Sequence, residues 1–280
     1  MFKLSKWTKR AGFAVLTIFA VLIASVFTPG PALAATAPSL LTAQSFAVLG
    51  GSGVTNTGLT VVNGDLGSWP TPAISGFPPG TYTGTLHAAD AVAQQAQSDV
   101  TTAYNALAGQ TCDADLTGQD LGGKTLTPGV YCFSSSAQLT GALTLNAQGN
   151  ASAVWVFQIG SSLTTASNAS VRVINGGTAC NVFWQVGSSA TLGTTTTFVG
   201  NILALTSITL NTGASVSGRV LARNGAVTLD TNVVSIPVCG GSTGGTAVPA
   251  ITQWGAVGMA IVLAGCIVWA LRRKRVRASN

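Results

Sequence analysis

The chain has 280 residues, of which 47% are hydrophobic and only 7% charged, whereas a soluble domain carries about 25% charged residues. Nine of its 13 Lys and Arg stand in two terminal clusters: Lys3, Lys6, Lys9 and Arg10, and then Arg272, Arg273, Lys274, Arg275 and Arg277. Between them Lys124, Arg172, Arg219 and Arg223 face seven Asp and no Glu, which excludes a nucleic-acid binder built on clustered cations and a chain kept unfolded by its charge.

In chain order, residues 1–34 read as an N-terminal signal helix. Lys3 to Arg10 form a positive n-region, Ala11 to Phe27 an apolar stretch, and Ala32-Leu33-Ala34 an A-x-A-like cleavage site. The exported body is expected to start at Ala35 and to run through 35–239. A helix is predicted to open at His87-Ala88-Ala89-Asp90 and to end at Gly109 as C′. Val92, Ala96, Val100, Ala103, Tyr104 and Leu107 give it one mild apolar stripe, and Asp90 suits the dipole at its start. Gln94, Gln95, Gln97, Ser98 and Asp99 argue against a membrane helix.

The second half of the body carries a weak repeat. The triplets Leu143-Thr144-Leu145, Leu163-Thr164-Thr165, Ala190-Thr191-Leu192, Ile208-Thr209-Leu210 and Val227-Thr228-Leu229 recur at steps of 20, 27, 18 and 19 residues between their central Thr. Short strands precede them (Val154 to Phe157, Val182 to Gln185, Ile202 to Leu205, Val220 to Ala222). Others follow (Ser170 to Val173, Thr196 to Val199, Ala214 to Ser217, Asn232 to Ser235). Three strands in about 19 residues, in a fixed order, predict a mainly β chain wound as a three-faced parallel β-solenoid. An antiparallel sandwich predicts hairpins but not that returning order.

Cys112, Cys132, Cys180 and Cys239 lie in the body, where disulfides persist after export, and Cys266 lies in the tail. None has C-x-x-C spacing. Of three connectivities, Cys112–Cys132 with Cys180–Cys239 is favoured, the first pair closing a short local loop. Residues 240–248, rich in Gly and Thr, read as a linker. Residues 249–280 form a tail: residues 254–271 carry no charge and precede Arg272-Arg273-Lys274-Arg275, the layout of a transmembrane helix with a cytoplasmic basic flank. The stretch Val248-Pro249-Ala250-Ile251-Thr252-Gln253-Trp254-Gly255 resembles sorting tails of the IPTL type. That resemblance implies membrane insertion, a sorting protease of exosortase type, and delivery to the cell surface or the medium.

Catalytic signals are sparse. His87 is the only His. Asp113, Asp115 and Asp120 cluster beside Cys112, but D-x-D without further ligands is a poor Ca²⁺ site and reads as a solvated loop. Arg172, Arg219 and Arg223 lack the carboxylate pair that acid–base work on a polysaccharide needs. No enzyme, cofactor or metal is implied.

Threonine dominates instead, with 29 between Thr42 and Thr231. Apolar neighbours point inward on a strand, so the central Thr of each triplet points out. Stacked coils would align Thr144, Thr164, Thr191, Thr209 and Thr228, with Thr60 of Leu59-Thr60-Val61 as an extension. Coils about 4.8 Å apart and alternate strand residues about 6.6–6.8 Å apart set methyl and hydroxyl groups on a lattice close to that of an ice face. Thr is also simply a good strand residue, and the alternative function is a cell-surface adhesin or matrix structural protein on the same scaffold.

The residues Thr55 to Gly67, Gly76-Phe77-Pro78-Pro79-Gly80, His87 to Ala91, Leu121 to Tyr131, Val182 to Thr191, Gly200 to Ala204 and Gly218 to Val227 closely resemble the microbial ice-binding (antifreeze, ice-structuring) protein family. The resemblance spans residues 40–239. It implies a discontinuous right-handed β-solenoid with a long helix packed alongside, and ice as the partner of one flat face. The family's T-A/G-x-T/N motif is matched by Thr57-Gly58-Leu59-Thr60 and Thr165-Ala166-Ser167-Asn168, and in part by Leu192-Gly193-Thr194-Thr195 and Thr212-Gly213-Ala214-Ser215. The resulting ice-contact set is Thr57, Thr60, Thr144, Thr164, Thr165, Asn168, Thr191, Thr194, Thr209, Thr212 and Thr228.

Overall fold

The computed structural model describes residues 34–239. The expected signal helix (apart from Ala34), linker and transmembrane tail lie outside the described residues. Among the described residues no helix is long and apolar enough to cross a membrane.

Every strand ladder is parallel, and three faces alternate along the chain. Face 1 stacks Asp65–Ser68, Phe46–Gly50, the second halves of Ser215–Ala222 and Thr197–Ala204, Val182–Val186, Trp155–Ile159 and Gly129–Phe133. Face 2 stacks Ala137–Leu139, Leu163–Thr165, Ala190–Leu192, Ile208–Leu210, Ala226–Asp230, Gly53–Thr57 and Ile74–Ser75. Face 3 stacks Ala142–Asn146, Ser170–Ile174, the first halves of the two long strands, Val233–Ser235, Val61–Asn63 and Thr81–Tyr82.

The solenoid is discontinuous. The first coils in sequence stack beyond the last one, with Val54 beside Val227 and Val62 beside Val234. The chain must then return to the opposite end, and the helix Ala91–Ala108 carries it. Its 18 residues cover about 27 Å at 1.5 Å per residue, between five and six coil spacings.

The interior is a ladder of large side chains. Rings of Tyr131, Phe157, Trp184 and Phe198 follow one another, with centroids 5.6, 3.9 and 4.8 Å apart. Trp184 Nε1 donates to the Val199 carbonyl at 3.0 Å, so the indole is buried without an orphan donor. Face 1 is apolar on both sides, because Val130, Val156, Phe183, Leu203 and Leu221 point away from the interior into a second core under the helix. That explains why Val182–Val186 is buried at every position, against the alternation on face 2.

The helix begins as its sequence suggests: Asp90 is the N-cap, accepting from the Ala93 N–H at 2.8 Å. That bond, and then the contact with His87, hold the Asp90 carboxyl below its ordinary pKa. Two details differ from expectation. Gly109 ends the helix with φ −86°, a right-handed conformation and not the left-handed C′ turn. Val92 is exposed, and Ala93 takes its place on the buried stripe. Gln97 and Asp99 are buried because their side chains bind backbone: Gln97 Nε2 donates to the Ala222 carbonyl, and Asp99 Oδ2 accepts from the Thr42 N–H.

Both expected disulfides form, Cys112–Cys132 and Cys180–Cys239, with Cα separations of 5.9 and 5.7 Å. The two long strands turn the corner from face 3 to face 1 at Gly200 and Gly218, which pair across coils. A Cβ on Gly218 would overlap the Gly200 carbonyl, which belongs to backbone that cannot move aside. Gly218→Ala is therefore expected to lower stability by about 2–3 kcal/mol, measured by urea unfolding.

Candidate functional site

Face 2 presents one outward column. Gln138, Thr164, Thr191, Thr209, Thr228, Thr55 and Ser75 are consecutive register partners across seven strands. Their neighbours Leu163, Leu192, Ile208, Leu210, Val227, Leu229 and Val54 are buried, which fixes the Thr side chains outward. The helix lies on face 1, so it leaves this column open to solvent. A row of serines runs alongside at the preceding corner: the Ser162 and Ser207 N–H groups donate to the hydroxyls of Ser136 and Ser189 on the neighbouring coils.

The corner between faces 2 and 3 adds a second polar row. Asn168, Thr195, Gly213, Thr231 and Gly58 stand one above another in left-handed backbone, with φ between 53° and 84°. Their N–H groups bond from coil to coil, Asn168 to the Thr194 carbonyl, Thr195 to Thr212, Gly213 to Asp230 and Thr231 to Thr57. Thr is β-branched and adopts this region at a cost. Side-chain bonds hold the corner: Thr195 Oγ1 donates to Asn168 Oδ1 at 2.6 Å, and Thr212 Oγ1 donates to Asp230 Oδ2. Asp230 Oδ1 also accepts from Thr231 Oγ1, so the single carboxylate of this row has hydroxyl partners on both oxygens.

Behind the corner lies a buried polar spine. Thr165 Oγ1 and Thr196 Oγ1 are 2.8 Å apart, and the Gly193 N–H donates to Thr165 Oγ1. Asn232 accepts from the Asp230 N–H and donates to the carbonyls of Asn211 and Ala214, while its own N–H reaches Thr60 Oγ1.

Of the residues singled out by sequence, Thr164, Thr191, Thr209 and Thr228 come together in the column, with Asn168 on the adjoining corner row and Thr57, Thr194 and Thr212 one residue before it, their carbonyls accepting from the row's N–H groups. Three fall elsewhere. Thr144 sits on face 3 between Thr125 and Arg172. Thr60 and Thr165 are buried, 0% and 3% exposed, as members of the spine. The Leu-Thr-Leu alternation of residues 143–145 marks any half-exposed strand and carries no face label. The true partner of Thr164 is Gln138, and the far end is extended by Thr55 in place of Thr60. The four motif quartets are not equivalent either. Thr165 to Asn168 and Leu192 to Thr195 put the left-handed residue fourth, whereas Thr57 to Thr60 and Thr212 to Ser215 put it second, at Gly58 and Gly213. Gln138, Thr55, Ser75 and the serine row were missed; only Val54-Thr55 with its outward Thr carried a readable signal.

The acidic loop is consumed by turns. Asp113 accepts from the Val130 N–H, Asp115 from Thr117 and Asp120 from Gly122 and Thr140. The Thr117 bonds hold Asp115 below its ordinary pKa. Among the described residues no group of three His, Cys, Asp or Glu could hold a metal. Arg219 is buried, with Nε and Nη2 donating to the Gln44 carbonyl and Nη1 to Asn201 Oδ1. Burial pushes its guanidinium down to about 10, which leaves it charged at neutral pH.

The profile of the family described as ice-binding-like matches residues 48–235. The chain belongs to that family. An ice-binding protein of Nostoc sp. (strain HG1) is 61% identical over 205 residues, 73% of this chain and 76% of that protein. An ice-binding protein of Flavobacterium frigoris (strain PS1) is 35% identical over 209 residues, 70% of this chain and 75% of that protein. The crystal structure of an ice binding protein from an Antarctic biological consortium superposes with a TM-score of 0.72 at 47% identity, covering 76% of this chain and 97% of that chain. An ice-binding protein of the Antarctic ascomycete Antarctomyces psychrotrophicus gives 0.70 at 46% identity, covering 72% of this chain and 98% of that one. Nearly all of each of those solved chains corresponds to the solenoid of this chain.

The buried spine makes a prediction about the corner. Asn232→Ala removes three side-chain hydrogen bonds from a residue 1% exposed, and unsatisfied buried groups cost about 1–3 kcal/mol each. We expect a loss of about 2–4 kcal/mol in urea unfolding.

Proposed function

We propose that this chain is an exported, non-catalytic ice-binding protein whose contact surface is face 2, with the column Thr164, Thr191, Thr209, Thr228 and Thr55 at its centre. Thr57, Thr194, Thr212 and Asn168 at the adjoining corner complete it. The scaffold is read as right-handed, the sense that parallel β connections take in nearly all cases. Signal cleavage before Ala35 and delivery by the sorting tail belong to the same reading.

The in-register Thr column on an uncovered face carries this proposal. Coil spacing of about 4.8 Å repeats the column along the axis, and alternate residues about 6.6–6.8 Å apart repeat it across the face. Thr methyls favour cage-like water above them, and the hydroxyls anchor that water. A β-branched side chain is stiff at χ1, so little rotamer freedom is lost when the surface meets an ordered solid. Lys and Glu would hold mobile hydration shells and break the register; face 2 has neither, and its two acids are engaged, Asp230 at the corner by Thr212 and Thr231 and Asp120, bridged to Gln138 at the end of the stack, by the Gly122 and Thr140 N–H groups.

Thermal hysteresis and recrystallisation inhibition on residues 35–239 test this reading. Thr191→Tyr and Thr209→Tyr are expected to cut both activities severalfold with an unchanged unfolding midpoint. Thr144→Tyr, on face 3, is expected to leave them intact. Equal activity in all three variants would place the contact elsewhere.

A further inference from the structure

Face 1 carries a feature that ice contact does not use. One of its outward columns runs Val130, Val156, Phe183, Asn201, Arg219, each the register partner of the next. The column is apolar for three coils, then turns polar and ends in a cation. Arg219 is only 3% exposed.

A buried charge is ordinarily paired with an opposite one. This chain has no carboxylate side chain placed to do so. It has no Glu, and all seven Asp lie within the described residues. Each is engaged elsewhere. Asp65 accepts from the Thr85 N–H, Asp90 meets Ala93 and His87, and Asp99 meets Thr42 and Gln95. Asp113, Asp115 and Asp120 accept from backbone N–H groups, and Asp230 from Thr212 and Thr231. Among the described residues the one ion pair joins His87 to Asp90.

The guanidinium has five N–H groups. It makes three hydrogen bonds, two to the Gln44 carbonyl and one to Asn201 Oδ1. Both acceptors are neutral, so they orient the fork without cancelling its charge, and two N–H groups remain. Burial lowers the pKa of Arg219 and no acid offsets it. Arg219 also lines a cavity of about 210 Å³, room for several waters. Leu40 and Phe183 form apolar wall, Ser39, Gln44 and Asn181 polar wall, and no lining residue is acidic.

We propose that this cavity binds a small oxyanion, held by the remaining N–H groups of Arg219 with Ser39 and Asn181 as further donors. A planar, forked cation matches the oxygens of a carboxylate, sulfate or phosphate better than it matches a spherical halide. The anion supplies the missing countercharge and fastens the turn Leu41–Ser45, which ends beside Arg219, to the coil below it. Leu40 and Phe183 belong to the second core under the helix, so occupancy leaves the Thr column untouched. The site does not depend on the ice-contact reading of face 2.

Calorimetric titration of the full chain, kept in solution by a non-ionic detergent, tests this with sodium sulfate, phosphate, acetate and chloride at constant ionic strength. One saturable site is expected for an oxyanion and none for chloride. Tighter binding of sulfate and phosphate assigns the site to inorganic oxyanions; tighter binding of acetate assigns it to the carboxylate of a small organic acid. A saturating anion is expected to raise the unfolding temperature by about a few degrees. Arg219→Gln is expected to weaken binding by about tenfold or more. Asn181→Asp sets a carboxylate on the cavity wall as an internal counterion. It is expected to unfold cooperatively and to lose the response to added oxyanion, and it decides the question if Arg219→Gln does not fold. Heats that never saturate, a chloride response equal to that of the oxyanions, or binding that persists unchanged in Asn181→Asp overturns the site.

Discussion

The backbone hydrogen-bond ladder between parallel coils governs everything else in this molecule. Parallel pairing in exact register places like position over like position, and the ladder spacing is set by peptide geometry and not by side chains. Once Leu, Ile and Val fill the interior positions of face 2, the intervening Thr have one place to go. The outward lattice is thus a by-product of an interior that packs. The stacked rings from Tyr131 to Phe198 stiffen the same coils from within.

A solenoid of this kind has two weaknesses, a bare apolar face and a break in the winding, and one helix bears on both. Face 1 exposes a second apolar surface, which Ala91–Ala108 covers. The discontinuity requires a return path, which the same helix provides at close to the needed length. Gln97, Asp99 and Gln158 fasten it: Gln158 Nε2 donates to the carbonyls of Leu107 and Gln110. Coverage of face 1 is also what leaves face 2 bare. The division of the prism into a covered face and an open one follows from where the helix can lie.

Much of this was legible in the sequence, and the failures have two causes. Period-two alternation, the returning strand triplet and the Asp90 cap are local signals, and they located strands, coils and helix. The assignment of a strand to a face is not local. Thr144 obeys the same alternation as Thr164 and lies on another face. The steps expected from the repeat placed it one strand late, because the early coils carry long corners at residues 147–154 and 175–181 that lengthen their period to 26 and 27 residues, Gln138 to Thr164 and Thr164 to Thr191. Thr60 and Thr165 were lost for a different reason: a Thr hydroxyl at a corner can satisfy buried backbone, and composition does not separate that use from an outward one. Thr55 could not be placed in the column at all without the discontinuity, since its neighbour Thr228 is 173 residues away in sequence.

The most direct measurement is adsorption of the fluorescently labelled body, residues 35–239, to a single-crystal ice hemisphere grown slowly from dilute solution. A rigid, repeating lattice on one face should select planes whose spacing it matches, so fluorescence confined to sharply bounded, symmetry-related patches is expected. Ice that grows uniformly dark, with the protein rejected into the liquid, would contradict the claim that the Thr column of face 2 is built to meet frozen water.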